Sequence, residues 1–81
     1  MSEVFVEVAD LVGQVTDLPA EDISADARFD ALANWTSYDA LRLLTGIEQR
    51  FAVRLDLQEY FAIKDVGSLV AAVSSAQEKS G

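Results

Sequence analysis

The stretch Thr36-Ser37-Tyr38-Asp39-Ala40-Leu41-Arg42-Leu43-Leu44-Thr45-Gly46-Ile47-Glu48-Gln49-Arg50-Phe51 constrains this chain more than any other. Ala40, Leu43, Leu44, Ile47 and Phe51 recur at three- and four-residue steps, the spacing of one helix face. Tyr38 and Leu41 are expected to widen that face. Asp39, Arg42, Glu48, Gln49 and Arg50 fall on the outer side. Thr36 suits the N-cap, and Asp39 three residues later can complete a capping box. The spacing predicts a helix that ends near Phe51-Ala52. A helix with one apolar stripe needs other elements to bury it.

Further helices are predicted on either side. Val8, Leu11, Val12 and Val15 follow Val4 at offsets of four, seven, eight and eleven, which predicts a helix from about Glu3 to Thr16. Glu3, Glu7 and Asp10 lie off that stripe, and Glu3 and Glu7 complement the positive helix end. Gly13 is expected to weaken the interior by about 1 kcal/mol relative to Ala. Pro19 disfavours a helical residue before it and marks the stop. Asp56 can cap a short helix over 57–61, and Asp65 a last one with Val66, Leu69, Val70 and Val73 as its stripe. The segment 77–81 reads as a frayed tail. The expected architecture is a small all-α four-helix bundle of three longer helices and one short one, forming a single domain over 1–81.

Residues 18–35 form a long first loop. Loops beyond about 12–15 residues are uncommon in compact domains and are often functional. Its isolated apolar residues Ile23, Phe29, Leu32 and Trp35 are expected to pin it to the core, with a helical turn at 19–23 or near Phe29. Asp22, Ser24, Asp26 and Asp30 alternate as in a calcium loop. The sixth position is Ala27 and the twelfth Ala33, where that motif needs Gly and Glu, so no metal site is expected.

Composition narrows the chemistry. The 81 residues include no Cys and no His. That removes disulfides, thiolate nucleophiles and the usual base near neutral pH, so an autonomous enzyme is not expected. Fourteen acidic residues against six basic ones give a formal charge of −8, which argues against nucleic acid and anionic membranes as partners. It suits proteins with basic patches, or simply maintains solubility. Neither a basic leader nor an apolar run of about 20 residues is present, so a cytoplasmic monomer is the expectation.

Ser37 is the candidate attachment point for borrowed chemistry. A phosphate on a hydroxyl at a helix start would meet unpaired backbone N–H groups and the positive dipole end. Ser37 could instead be a second capping hydroxyl beside Thr36. Trp35 is expected to anchor the loop by packing, and Tyr38 to sit at the helix edge near the base of any attached arm. Leu43, Ile47, Val66 and Val70 are core by default, with the lining of a cavity as the other reading. Asp39, Glu48 and Glu59 form a solvated face or meet basic partners. Arg42 and Arg50 bias partner choice, or pair with Glu48 and neighbouring acids.

The chain resembles an acyl or peptidyl carrier protein over most of its length. In that family a Ser opens the second helix, usually within Asp-Ser-Leu, where this chain has Thr36-Ser37-Tyr38. Ile47-Glu48-Gln49-Arg50-Phe51-Ala52-Val53 is similar to the family's second-helix end, and Ile63-Lys64-Asp65-Val66-Gly67-Ser68-Leu69-Val70 to the opening of its last helix. Trp35 before the motif resembles a branch of discrete carriers. The resemblance implies a covalent 4′-phosphopantetheine arm on Ser37, flanked by Thr36 and Tyr38. A phosphopantetheinyl transferase would attach it, and the thiol of the arm would carry acyl or aminoacyl units as thioesters.

Partner enzymes would then dock on Asp39, Arg42, Glu48, Gln49, Arg50 and Glu59. The departures from the fatty-acid type are Thr36, Tyr38, Arg42, Gln49 and Arg50. They imply acyl-loading and synthase partners of specialised biosynthesis, of the polyketide, nonribosomal peptide or antibiotic kind. The alternative is a carrier-like interaction module that is not phosphopantetheinylated.

Overall fold

Four helices surround an apolar interior in a computed structural model that describes residues 3–32 and 35–80. Helix α1 spans Glu3–Thr16, α2 Ser37–Phe51, α3 Leu57–Ala62 and α4 Val66–Ser80. Asn34 just before Trp35, the twelfth calcium-loop position Ala33 and Gly81 of the expected tail lie outside the described residues. Residues 77–80, expected as tail, belong to α4. Gln77, Glu78 and Lys79 are good helix formers, and no Gly or Pro falls between Gly67 and Gly81.

The core is built from the predicted stripes. Val8 and Val12 of α1, Leu43 and Ile47 of α2, and Val66, Leu69 and Val73 of α4 are completely buried. Fully burying such side chains stabilises the fold by about 1.5–3 kcal/mol each relative to exposure. Helix α1 packs against both α2 and α4. Val70 is partly buried against this cluster. The molecule measures 35 × 27 × 19 Å.

The α1 stop differs in mechanism from the sequence expectation. Asp17 takes the left-handed conformation at φ 65°, and the Leu18 amide donates to the Gly13 carbonyl at 3.1 Å. This is the αL cap in which the second residue past the helix bonds back to its last turn. Pro19 lies beyond it. Gly13 also has a reason the periodicity hides: a Cβ there would stand 2.6 Å from the Leu18 carbonyl oxygen. The chain reverses against a bare Cα. Gly13→Ala should therefore lower stability despite the helix propensity it gains. Crowding of about 1–3 kcal/mol outweighs a propensity gain of about 1 kcal/mol. A lower urea midpoint than wild type is the expected reading.

The long loop is pinned as expected, by Ile23 and Phe29, both buried, with Leu32 and Trp35 partly so. Short helical turns form at Ala20–Asp22 and Phe29–Ala31. A backbone strap adds to this. The amides of Phe29, Val66 and Gly67 donate to the carbonyls of Lys64, Ala27 and Ala25 at 3.0, 3.0 and 2.7 Å. Residues 25–29 are thereby fixed to the α3–α4 junction. Gly67 permits the approach, since a Cβ there would lie 2.9 Å from the Ala25 oxygen. Asp65 caps α4 by accepting from the Ser68 amide at 2.8 Å. That bond and Ser68's hydroxyl hold the Asp65 carboxyl below the usual carboxylate range.

Candidate functional site

The first turn of α2 is set by a reciprocal box. The Asp39 amide donates to Thr36 Oγ1 at 3.2 Å, and the Thr36 amide donates to Asp39 Oδ2 at 3.2 Å. Thr36 is extended at φ −129°, as a capping residue should be. The Ala40 amide donates to the Thr36 carbonyl at 3.1 Å. Thr36 thus performs the whole capping task. Thr36→Ala should cost about 1 kcal/mol, read as a lower melting temperature, while leaving Ser37 exposed.

Ser37 is left with nothing to do structurally. Its side chain is exposed, and among the described residues its hydroxyl has no hydrogen-bond partner. Among the described residues the amides of Ser37 and Tyr38 also have no partner, whereas the box satisfies Asp39 and the first helical bond Ala40. The site therefore joins a free hydroxyl, two free amides and the positive end of a 15-residue helix. A phosphodiester on this oxygen would meet that geometry without displacing a bond. The residues present fit such a group.

Two expectations need correction beside it. Tyr38 and Leu41 do not widen the buried face, being 69% and 45% exposed. The seam is filled by Ala40, Leu43, Leu44 and Ile47, and at about 100° per residue Tyr38 and Leu41 point away from its centre. Tyr38 instead lies under Arg42, whose guanidinium sits 5.8 Å from the ring centroid. Arg42 also approaches Asp39 at 3.8 Å. Tyr38, Leu41, Arg42, Thr45, Gly46 and Gln49 line a shallow depression on the outer face of α2.

The remaining predicted residues divide into two places. Thr36, Ser37, Tyr38, Asp39 and Arg42 cluster at the start of α2. Glu48, Gln49 and Arg50 lie near its end, about 16 Å away at 1.5 Å per residue. Arg50 does not pair along its own helix but donates to Asp10 of α1 at 3.1 Å. Glu48 accepts from the Leu55 amide at 3.3 Å. Glu48, Gln49 and Glu59 border one groove between α2, α3 and α4. In the long loop, Asp26 accepts from Ser24 and Asp30 from Arg28. Among the described residues, no three carboxylates gather into a cation site.

One residue escaped the sequence reading. Tyr60 of α3 is buried, and its hydroxyl donates to the Ala40 carbonyl at 2.5 Å. Burial pushes its phenol well above the ordinary tyrosine range. This bond fixes α3 to the first turn of α2, directly under the Ser37 turn. A Tyr within a short capped helix was the available signal, since a buried phenol usually finds a partner. Trp35 packs as expected, stacked on Phe29 with ring centroids 5.2 Å apart. A pocket of about 80 Å³ lies among Phe29, Trp35, Ala40, Tyr60, Phe61 and Ile63.

Comparison with known proteins places the chain in a family. A family model described as phosphopantetheine attachment site matches residues 6–73. The chain is 28% identical to an acyl carrier protein of Kineococcus radiotolerans over 75 residues, 93% of each chain. An acyl carrier protein of Renibacterium salmoninarum is 28% identical, and one of an Arthrobacter species 27%, with the same coverage. No helix among the described residues is long and apolar enough to cross a membrane. With its helical bundle and matched segment, the chain belongs to the phosphopantetheine attachment-site family, as a non-catalytic carrier protein whose cofactor is covalent 4′-phosphopantetheine.

Proposed function

We propose that Ser37 is the attachment residue and that the protein presents tethered acyl or aminoacyl units to partner enzymes. One observation carries this reading: Thr36 and Asp39 cap α2 between them, so among the described residues the exposed Ser37 hydroxyl is uncommitted. A phosphopantetheinyl transferase binds coenzyme A and removes the hydroxyl proton. Ser37 Oγ attacks the phosphorus of the pantetheine phosphate. A new O–P bond forms, the pyrophosphate bond breaks, and adenosine 3′,5′-bisphosphate leaves.

The residues around the oxygen then have defined tasks. The Ser37 and Tyr38 amides face the phosphodiester. Arg42 offsets the Asp39 carboxylate close by. Tyr38 presents an exposed ring beside the base of the arm. When attached, the group supplies a thiol that carries acyl units as thioesters.

Partner choice follows from α2. Its two acids and two arginines cancel, and all four are engaged: Asp39 in the box, Arg42 beside Asp39 and over Tyr38, Glu48 on the Leu55 amide and Arg50 on Asp10. The outer face therefore offers Tyr38, Leu41 and the half-exposed Arg42 more than net negative charge. Such a face suits loading and synthase enzymes of specialised biosynthesis, of the polyketide or nonribosomal peptide type, working on a cytoplasmic monomer. Glu59 and Gln49 extend the contact along the groove.

Incubation with a broad-specificity transferase and coenzyme A tests this. Intact mass should rise by one phosphopantetheine. A chain that stays unmodified with several active transferases would instead be an interaction module.

A further inference from the structure

Two spaces meet at Tyr60, one near the start of α2 and one toward its end. The pocket of about 80 Å³ borders Ala40, one helical turn after Ser37, and Trp35, two residues before it. A second, larger groove of about 720 Å³ lies among Glu48, Val53, Leu55, Ala72 and Ala76. Tyr60 and Ile63 line both spaces. Tyr60 is 5% exposed, its ring meets Phe61 edge-on at 5.5 Å, and its hydroxyl is held by the Ala40 carbonyl. A side chain bonded at its far end to the neighbouring helix cannot swing aside without losing that bond. It forms a fixed partition.

The sizes give this a chemical meaning. At about 30 Å³ for a water-sized group, the small pocket takes two or three such groups, and it is well short of the ~150 Å³ that admits a benzene ring. A butanoyl chain has three carbons beyond its carbonyl, whereas an octanoyl chain has seven. The larger groove would hold the longer chain, but the partition bars the way from the Ser37 end. We propose that Tyr60 is a chain-length determinant, which lets the bundle shelter short acyl groups and leaves longer ones facing solvent and partner enzymes. This rests on Ser37 bearing the arm.

The test loads wild type, Tyr60→Ala and Tyr60→Phe with butanoyl- or octanoyl-phosphopantetheine from the coenzyme A thioesters, and each product is checked by intact mass. Thioester cleavage by hydroxylamine and the melting temperature are then measured. Each methylene that enters an apolar space raises the sheltered population about fourfold. In wild type, octanoyl should be cleaved no more slowly than butanoyl and should add no thermal stability beyond it. In Tyr60→Ala, octanoyl cleavage should slow by about tenfold or more, the effect of two or more sheltered methylenes. Tyr60→Phe keeps the ring but loses the bond that holds it, so its octanoyl cleavage should fall between those of wild type and Tyr60→Ala.

Octanoyl protected in wild type as strongly as in Tyr60→Ala would overturn the proposal, as would unchanged cleavage in a folded Tyr60→Ala. Should that variant not fold, the wild-type pair still decides, because slower cleavage of octanoyl than of butanoyl contradicts a closed partition. Loading that fails in wild type and all variants overturns the attachment reading, and this proposal with it. Successful loading without the chain-length pattern overturns the partition alone.

Discussion

Replacing Ser37 by Ala is expected to abolish arm attachment completely while leaving the fold as stable as wild type. The two halves of this result have separate causes. Stability is kept because the side chain is exposed and its hydroxyl bonds to none of the described residues. Ala is also a better helix former than Ser, and the cap stays on Thr36. Substitutions at such surface positions usually fall within about ±0.5 kcal/mol. Attachment is lost because the nucleophilic oxygen is gone, and Thr36 cannot replace it. Its Oγ1 accepts from the Asp39 amide and donates to the Asp39 carboxylate at 3.2 Å, so using it would dismantle the helix start. Intact mass after transferase treatment and a thermal melt check both halves. A melting temperature lowered by several degrees would mean that Ser37 has a structural task after all.

Tyr60→Ala should be the most destabilising single change considered. Truncating a buried aromatic side chain to Ala costs about 3–5 kcal/mol, and the hydroxyl contact to α2 is lost as well. For a domain of this size each kcal/mol moves the melting temperature by about 4–8 °C, so a drop of at least about 12 °C is expected. Tyr60→Phe separates the two contributions. It keeps the packing and should cost only about 0.5–1.5 kcal/mol, the net worth of a typical hydrogen bond.

Alkaline pH gives an independent reading of the same residue. Burial raises the phenol's pKa in the folded protein, so the folded state holds a proton that the unfolded state releases near pH 10. The stability involved is fully present below about pH 10 and is lost as pH rises beyond it. Tyr60→Phe should lack that part of the alkaline loss. Urea midpoints measured from pH 8 to 11 on both proteins would show the difference, and parallel curves would contradict it.

How far the sequence reveals this molecule depends on where each interaction lives. The helices were legible because their apolar residues repeat on one face, and their starts because Thr36, Asp56 and Asp65 are side-chain caps. The attachment candidate was legible for the same local reason. The strap from residues 25–29 to 64–67 was not, since it is made of backbone amides and carbonyls that leave no side-chain signature. Gly67 hinted at it only through the missing Cβ. The Tyr60–Ala40 bond joins residues 20 positions apart, and one partner is a carbonyl that every residue has. Tyr38 and Leu41 were misplaced because a helix stripe read from spacing has no sharp edge. Packing sets that edge, and here it stops at Ala40 and Leu44.

Central to this account is that the free oxygen at the start of α2, and not its capping neighbour, receives the arm. Tandem mass spectrometry of the protein purified from its own host, cleaved into peptides, tests that most directly. The account predicts a phosphopantetheine on Ser37 and none on Thr36 or any other hydroxyl. A Ser37 found bare in the host, or an arm mapped to Thr36, would contradict it.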